Sequence, residues 1–170
     1  FMIDGTEPLP LIAMGFVLVG FGFKVSAAPF HFAAPDAYAG ASSPVAGILA
    51  TASKAMGIIG LLRMLLIVAS PEASEDGTVW LTLLGILSIV TMTWGNIAAL
   101  GSKNPKRMLA YSSVAHAGYM LAAITAIGAW NWDDSLAGDG GESAVAVLTA
   151  LIFHLVVLVA FKLGAFLVLS

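Results

Sequence analysis

The sequence contains no cysteine, so no disulfide framework, thiolate zinc site or iron–sulfur cluster is built from this chain. Charge is equally scarce, with seven Lys/Arg and ten Asp/Glu in 170 residues and a net charge of −3. A chain with so few bases and no basic stripe is not a nucleic-acid binder. Low hydrophobicity, the requirement for intrinsic disorder, is also missing. Hydrophobic residues make up 59% of the chain and mean hydropathy is +0.97. A soluble domain is about 45–50% apolar and about 25% charged. The composition therefore predicts an integral membrane protein in contact with the lipid bilayer. The chain starts Phe1-Met2-Ile3-Asp4, without a basic leader and cleavage site, and stops inside an apolar run at Ser170. Both ends read as cut, so we expect a piece of a larger protein.

A helix needs roughly 20 apolar residues to cross the hydrocarbon core. Five stretches are long enough: about 9–28, 44–68, 79–100, 108–129 and 144–169. None alternates apolar and polar residues as a membrane β-strand does. Lipid offers no partners for backbone amides, so such runs default to helices. The expectation is an all-α polytopic bundle of about five spans in a single domain, with the first helix broken near Pro29. Nine of the ten acids fall on one side: Asp4, Glu7, Glu72, Glu75, Asp76, Asp133, Asp134, Asp139 and Glu142. Lys103, Lys106, Arg107 and Asp36 fall on the other. Short basic loops stay cytoplasmic, which predicts that the 101–107 loop is inside and the acidic loops outside. Trp80, Trp130 and Trp132 are expected at the outer interface, where amphipathic rings settle.

Six ionisable side chains fall within the spans: Lys24, Lys54, Arg63, His116, His154 and Lys162. None of the spans contains an Asp or Glu. Each central charge costs about 2.5–3.5 kcal/mol or more unless it is paired, hydrated or functional. Either the lysines are neutral for part of the time, or their acids lie outside this fragment. Arg63 is near a span end and can snorkel. Lys54 is ten residues into its span, too deep for that, with the small neighbours Ala50, Ser53 and Gly57. Lys24 precedes Ser26 and Pro29, and discontinuous helices at mid-depth are typical of ion-transport sites. His116 shares a helix face with Ser112 and Tyr119. That stripe reads either as inter-helix glue or as a proton relay. His154 reads as a core histidine or a relay, and the depth of Lys162 depends on where the last span ends. Gly85, Ser88, Thr91 and Gly95 share one side of the third span, a pattern of close helix packing.

Several ordered motifs resemble one family. They are Gly22-Phe23-Lys24-Val25-Ser26-Ala27-Ala28-Pro29-Phe30-His31, Ala34-Pro35-Asp36-Ala37-Tyr38 and Ala50-Thr51-Ala52-Ser53-Lys54. They continue through Gly95-Asn96-Ile97-Ala98-Ala99-Leu100 and the run Lys106 to Tyr119, and close with Leu163-Gly164-Ala165-Phe166. The chain resembles the antiporter-like membrane subunits of respiratory complex I, and among these the N subunit. The resemblance implies that Lys24 is the lysine of the broken seventh helix and Lys54 that of the eighth. It implies a role for both in proton translocation along a line of charged and polar groups, coupled to quinone reduction elsewhere in a redox-driven NADH:quinone oxidoreductase. The family's partner glutamate and a further lysine belong to helices beyond this fragment. No cofactor or metal is expected on this chain. Quinone, flavin and iron–sulfur clusters are expected on partner subunits, among other membrane-arm subunits of complex I. Lys162 departs from the pattern, standing where Asn or another neutral residue is expected, and His154 stands where an aromatic is usual. Either adds a possible titratable step, and His116 a possible relay. The competing readings are a subunit of an Mrp-type cation/proton antiporter and a structural anchor in which the lysines are inert.

Overall fold

In a computed structural model the described residues are 8–68, 77–132 and 140–169, with side chains described over 12–66, 80–129 and 144–169. The acids Asp4, Glu7, Glu72, Glu75, Asp76, Asp133, Asp134 and Asp139, and the side chains of Glu142, Trp130 and Trp132, lie outside them. Among the described residues seven helices follow in order: α1 (Pro8–Val25), α2 (Ala33–Gly40), α3 (Ser43–Ala50), α4 (Ala52–Val68), α5 (Gly77–Gly101), α6 (Pro105–Trp132) and α7 (Gly140–Val168). No strand occurs among the described residues.

The bundle is apolar outside. Phe16, Phe23, Ile89, Ile97, Val156 and Phe161 are all exposed. The fully enclosed positions include Lys54, Lys162, Thr91 and Ser113. A water-soluble domain places these types the other way round. An exposed apolar surface around a polar interior is what lipid requires, because only internal polar groups find partners there. Helices α5, α6 and α7, and α3 running on into α4, are long and apolar enough to span; α1 is apolar but shorter.

Two breaks interrupt the helices, each for a local reason. At the end of α1, Ser26 takes φ +61°, the left-handed conformation of a helix terminator. The Ala27 N–H donates to Gly22 O at 2.7 Å and the Ser26 N–H to Phe23 O at 3.2 Å. These two bonds satisfy carbonyls that the helix would leave free. The break thus begins three residues before Pro29, which follows in a cis peptide with Ala28. The second break divides what the sequence presents as one continuous span. Thr51 leaves the helical line, and its hydroxyl donates to Gly47 O at 2.8 Å. Threonine bonding back to the preceding turn bends or interrupts helices.

Helix α6 is the hub, packing against α2, α4, α5 and α7. Its contact with α5 is the most intimate. A Cβ on Gly118 would lie 2.6 Å from the Met92 amide, and one on Gly95 would lie 2.5 Å from the Ala115 amide. Ser88 and Thr91 are buried in the same seam, so the small-residue side of the third span packs on a helix. Trp80 turns inward, into the main apolar core with Leu84, Leu121 and Ile124, rather than standing on the surface. At one end of the bundle the 29–43 connection meets the start of α6. There Arg107 pairs with Asp36, and Lys106 Nζ donates to Ala41 O at 3.2 Å. The pair is largely solvent-exposed, so it contributes about 1 kcal/mol at most.

Gly118→Leu should separate α5 from α6 and destabilise the fold by at least about 1–3 kcal/mol. The check is the midpoint of thermal unfolding of the full-length subunit in detergent, which should fall clearly below that of Gly20→Ala, where a Cβ meets nothing within 4 Å.

Candidate functional site: a base-rich line along the central helix

Lys54 is three residues past the Thr51 break, so its side chain leaves the first turn of α4 toward α6. It is 1% exposed, and its Nζ donates to Ser113 O at 2.8 Å. The Ser113 hydroxyl in turn donates to Ala50 O, the last residue of α3, at 3.4 Å. Helix interruption and lysine site are therefore stitched to the same residue of α6.

Lys162 reaches the same stretch of α6 from α7. The helix α7 continues to Val168, which places Lys162 well inside it, and the residue is fully buried. Its Nζ donates to Leu109 O at 3.0 Å and to Ser112 Oγ at 2.8 Å. Leu109 and Ser113 are four residues apart, about 6 Å along the axis. Two lysines from two helices thus share one stretch of α6 backbone as acceptor. A helix carbonyl has two lone pairs, one of which remains free after the helical bond.

One turn further along α6, the His116 Nδ1 lies 3.3 Å from the His154 Nε2 of α7. Which nitrogen carries the proton depends on the tautomer. His116 also meets the Tyr119 ring edge-on, with centroids 5.7 Å apart. The Asn96 amide of α5 donates to the Tyr119 hydroxyl at 2.9 Å. The Ser112–His116–Tyr119 stripe is real as a surface, and each member finds a partner on a neighbouring helix. The partners, thirty-eight residues away for His154 and fifty for Lys162, carry no signal in local sequence. Both residues that depart from the family pattern fall on this line.

Lys24 is placed differently. It occupies the last turn of α1, where a cation faces the negative end of the helix dipole. Its stem lies against α4, since a Cβ on Gly57 would come within 3.1 Å of Lys24 Cγ. The residue is nevertheless exposed on the side of the described bundle, lining a cavity with Ser26, Tyr38 and Ser53. Arg63 is also exposed. The structure therefore joins Lys54, Lys162, His116 and His154 through α6 and leaves Lys24 outside that line.

His31, in the motif that follows Lys24, is 5% exposed, with its Nδ1 enclosed and lacking a hydrogen-bond partner. It stacks on Phe32 and meets Trp94 edge-on. Burial, then the nearby Lys54, lowers its pKa from the ordinary imidazole value. The one carboxylate with a described side chain is Asp36, at the bundle end. No group of three or more His, Asp or Glu that could hold a metal ion occurs among the described residues.

An apolar-surfaced helix bundle enclosing lysines and histidines, with backbone carbonyls as their acceptors, is an integral membrane protein with a polar interior line. The chain belongs to the NADH:quinone oxidoreductase/Mrp antiporter transmembrane family, whose signature matches residues 4–170. It is 43% identical over 156 residues to NADH-quinone oxidoreductase subunit N 2 of Roseiflexus castenholzii, covering 92% of this chain and 29% of that protein. It is 42% identical over 167 residues to NADH-quinone oxidoreductase subunit N of Rubrobacter xylanophilus, covering 98% of this chain and 32% of that protein. Subunit N of Chlorobium chlorochromatii is 50% identical over 119 residues, covering 67% of this chain and 23% of that protein. The chain thus spans about a third or less of the length of the curated relatives it matches.

The turn after α1 is held to α5 by one buried bond, from the Ala28 amide to Thr91 Oγ1 at 3.0 Å. Thr91→Val keeps the shape and orphans that amide, so it should destabilise by about 1–3 kcal/mol. Thr125→Val, whose hydroxyl bonds only its own helix at Leu121 O, should cost far less. Equal thermal midpoints for the two variants would contradict this account of the turn.

Proposed function

We propose that this chain is the core of a proton-translocating membrane subunit of an NADH (or related donor):quinone oxidoreductase, moving protons along buried bases while quinone is reduced elsewhere in the complex. The observation that carries the reading is Lys54, fully enclosed at the centre of the bundle with a neutral carbonyl as its acceptor. A structural lysine in such a place is normally neutralised by a carboxylate. One held only by dipoles can lose and regain its proton as nearby charges move. At an effective dielectric near 20, a unit charge about 4 Å away is worth about 4 kcal/mol. That corresponds to roughly three pKa units, enough to switch occupancy.

In this reading Lys54 is the central proton site and Lys24 the site that communicates with the rest of the longer subunit. Lys24 is exposed on the flank of the described bundle, and its stem touches the α4 turn that follows Lys54. An acid approaching Lys24 favours its charged form, and withdrawing that acid releases a proton toward Lys54. His116 and His154 offer a continuation through two imidazoles whose nitrogens lie 3.3 Å apart. Redox cofactors belong to partner subunits. The 101–107 connection, with its three bases, belongs on the cytoplasmic side of a prokaryotic cell membrane or the equivalent side of an organelle inner membrane.

The family also contains Mrp-type antiporter subunits, which share the bundle and its lysines. The names of the similar proteins, all subunit N of NADH-quinone oxidoreductase, favour the redox-driven reading. Lys54→Ala in the assembled complex should abolish most NADH-driven proton pumping in reconstituted vesicles while the complex still assembles. Pumping at the unmodified level in an intact complex would overturn the proposal.

A further inference from the structure

Lys162 is the second enclosed lysine, and no carboxylate with a described side chain accompanies either it or Lys54. The groups around the two are His31 in the turn after α1, Tyr38 on α2, His116 on α6 and His154 on α7, each neutral or cationic in its ordinary states. Helix α3 brings the Ala50 carbonyl, which accepts from the Ser113 hydroxyl. Lys54 and Lys162 lie within electrostatic reach of each other. Their carbonyl acceptors, Ser113 O and Leu109 O, are one helical turn apart on α6. Two ammonium groups placed so, with no anion between them, repel in a region of low dielectric.

We propose that Lys54 and Lys162 form a single proton-binding unit that holds one positive charge, passed between them along one face of α6. The step is a proton transfer: one N–H bond of the Lys54 ammonium breaks, one N–H bond forms at the Lys162 amine, and the total charge is unchanged. The acceptors fit both states. A charged Lys162 has Leu109 O and Ser112 Oγ, and a charged Lys54 has Ser113 O. Ser112 and Ser113, neighbours on α6, place one hydroxyl toward each lysine's surroundings. From Lys162 the proton stands one turn of α6 from His116, since Ser112 and His116 are four residues apart. A neutral residue at position 162 could hydrogen-bond the same atoms but could not take the charge, so the lysine adds a stop to the line.

This inference rests on the proton-translocating reading of the subunit, and its test separates the two. The experiment measures NADH-driven proton uptake across a pH series in vesicles containing the assembled complex, for the unmodified protein, Lys54→Ala, Lys162→Met and Ser112→Ala. Removing the charge at position 162 leaves Lys54 as sole holder of the proton. The alkaline limit of pumping in Lys162→Met then moves up by about one pH unit, and the maximal rate falls because the second stop is gone. Ser112→Ala keeps the lysine but removes an acceptor for its charged form, so it moves the limit in the same direction by less. Should Lys162→Met fail to assemble, Ser112→Ala alone carries the test, because only a shared charge links that hydroxyl to the pH limit of Lys54. An unchanged pH profile in Lys162→Met, or in Ser112→Ala where Lys162→Met does not assemble, overturns the shared-charge unit. If Lys54→Ala abolishes pumping while the profile stays unchanged, the translocation reading stands and this inference falls. If Lys54→Ala pumps normally, both fall.

Discussion

A positive charge inside a dry bundle must be met by something, and here it is met by the carbonyl edge of α6. That one constraint organises the structure. Leu109 O and Ser113 O accept from lysines that arrive on different helices, so α6 has to run in contact with both α4 and α7. A central helix with neighbours on several faces cannot carry bulky side chains everywhere. Ala110, Ala115, Ala117 and Gly118 are all buried on it, and Gly95 and Met92 of α5 lie against them at near backbone contact. The small residues are thus the steric condition for the lysines' acceptors to be where they are.

The two helix breaks serve the same end. Each is followed or preceded within three residues by a lysine: Lys24 just before the left-handed Ser26, and Lys54 just after Thr51. At Ser26 the freed carbonyls are capped within the chain, and Lys24 is left in the last turn, at the favourable end of the dipole. At Thr51 the break frees Ala50 O, which the Ser113 hydroxyl takes up. Irregular backbone at membrane depth is tolerated only where it is enclosed or lines a cavity. Both breaks meet that rule, one against α5 through Thr91 and one against α6 through Ser113.

Much of this was legible in the sequence, for reasons of scale. Twenty-residue apolar runs in a chain with so few charges admit little but helices, and counting from the ends of the second run already puts Lys54 out of reach of snorkelling. What the sequence could not show was lateral. The Thr51 break has no proline or glycine to announce it, only a hydroxyl that happens to bond back. His116 meets His154 across two helices, and the apparent stripe with Ser112 and Tyr119 resolves into contacts with α7 and α5. Depth along a helix is countable, but direction around it is not when apolar residues cover every face. Lys24, fifteen residues into its run, stands on the flank of the described bundle, a direction that its count along the helix does not give. Trp80 read as an interfacial ring and turns into the core.

The difference in how the charges are met also separates anchoring from switching. Arg107 and Asp36 are opposite charges at the exposed end, where each stabilises the other. Inside, among the described residues, dipoles take the place of the counter-ion. A carbonyl stabilises an ammonium without cancelling its charge, and it loses little when the amine becomes neutral. A carboxylate in the same place would hold the proton fast and fix the site in one state. In the proposed translocating reading, the occupancy of the buried bases would be decided by each other and by what approaches Lys24, a property that a purely structural role does not require.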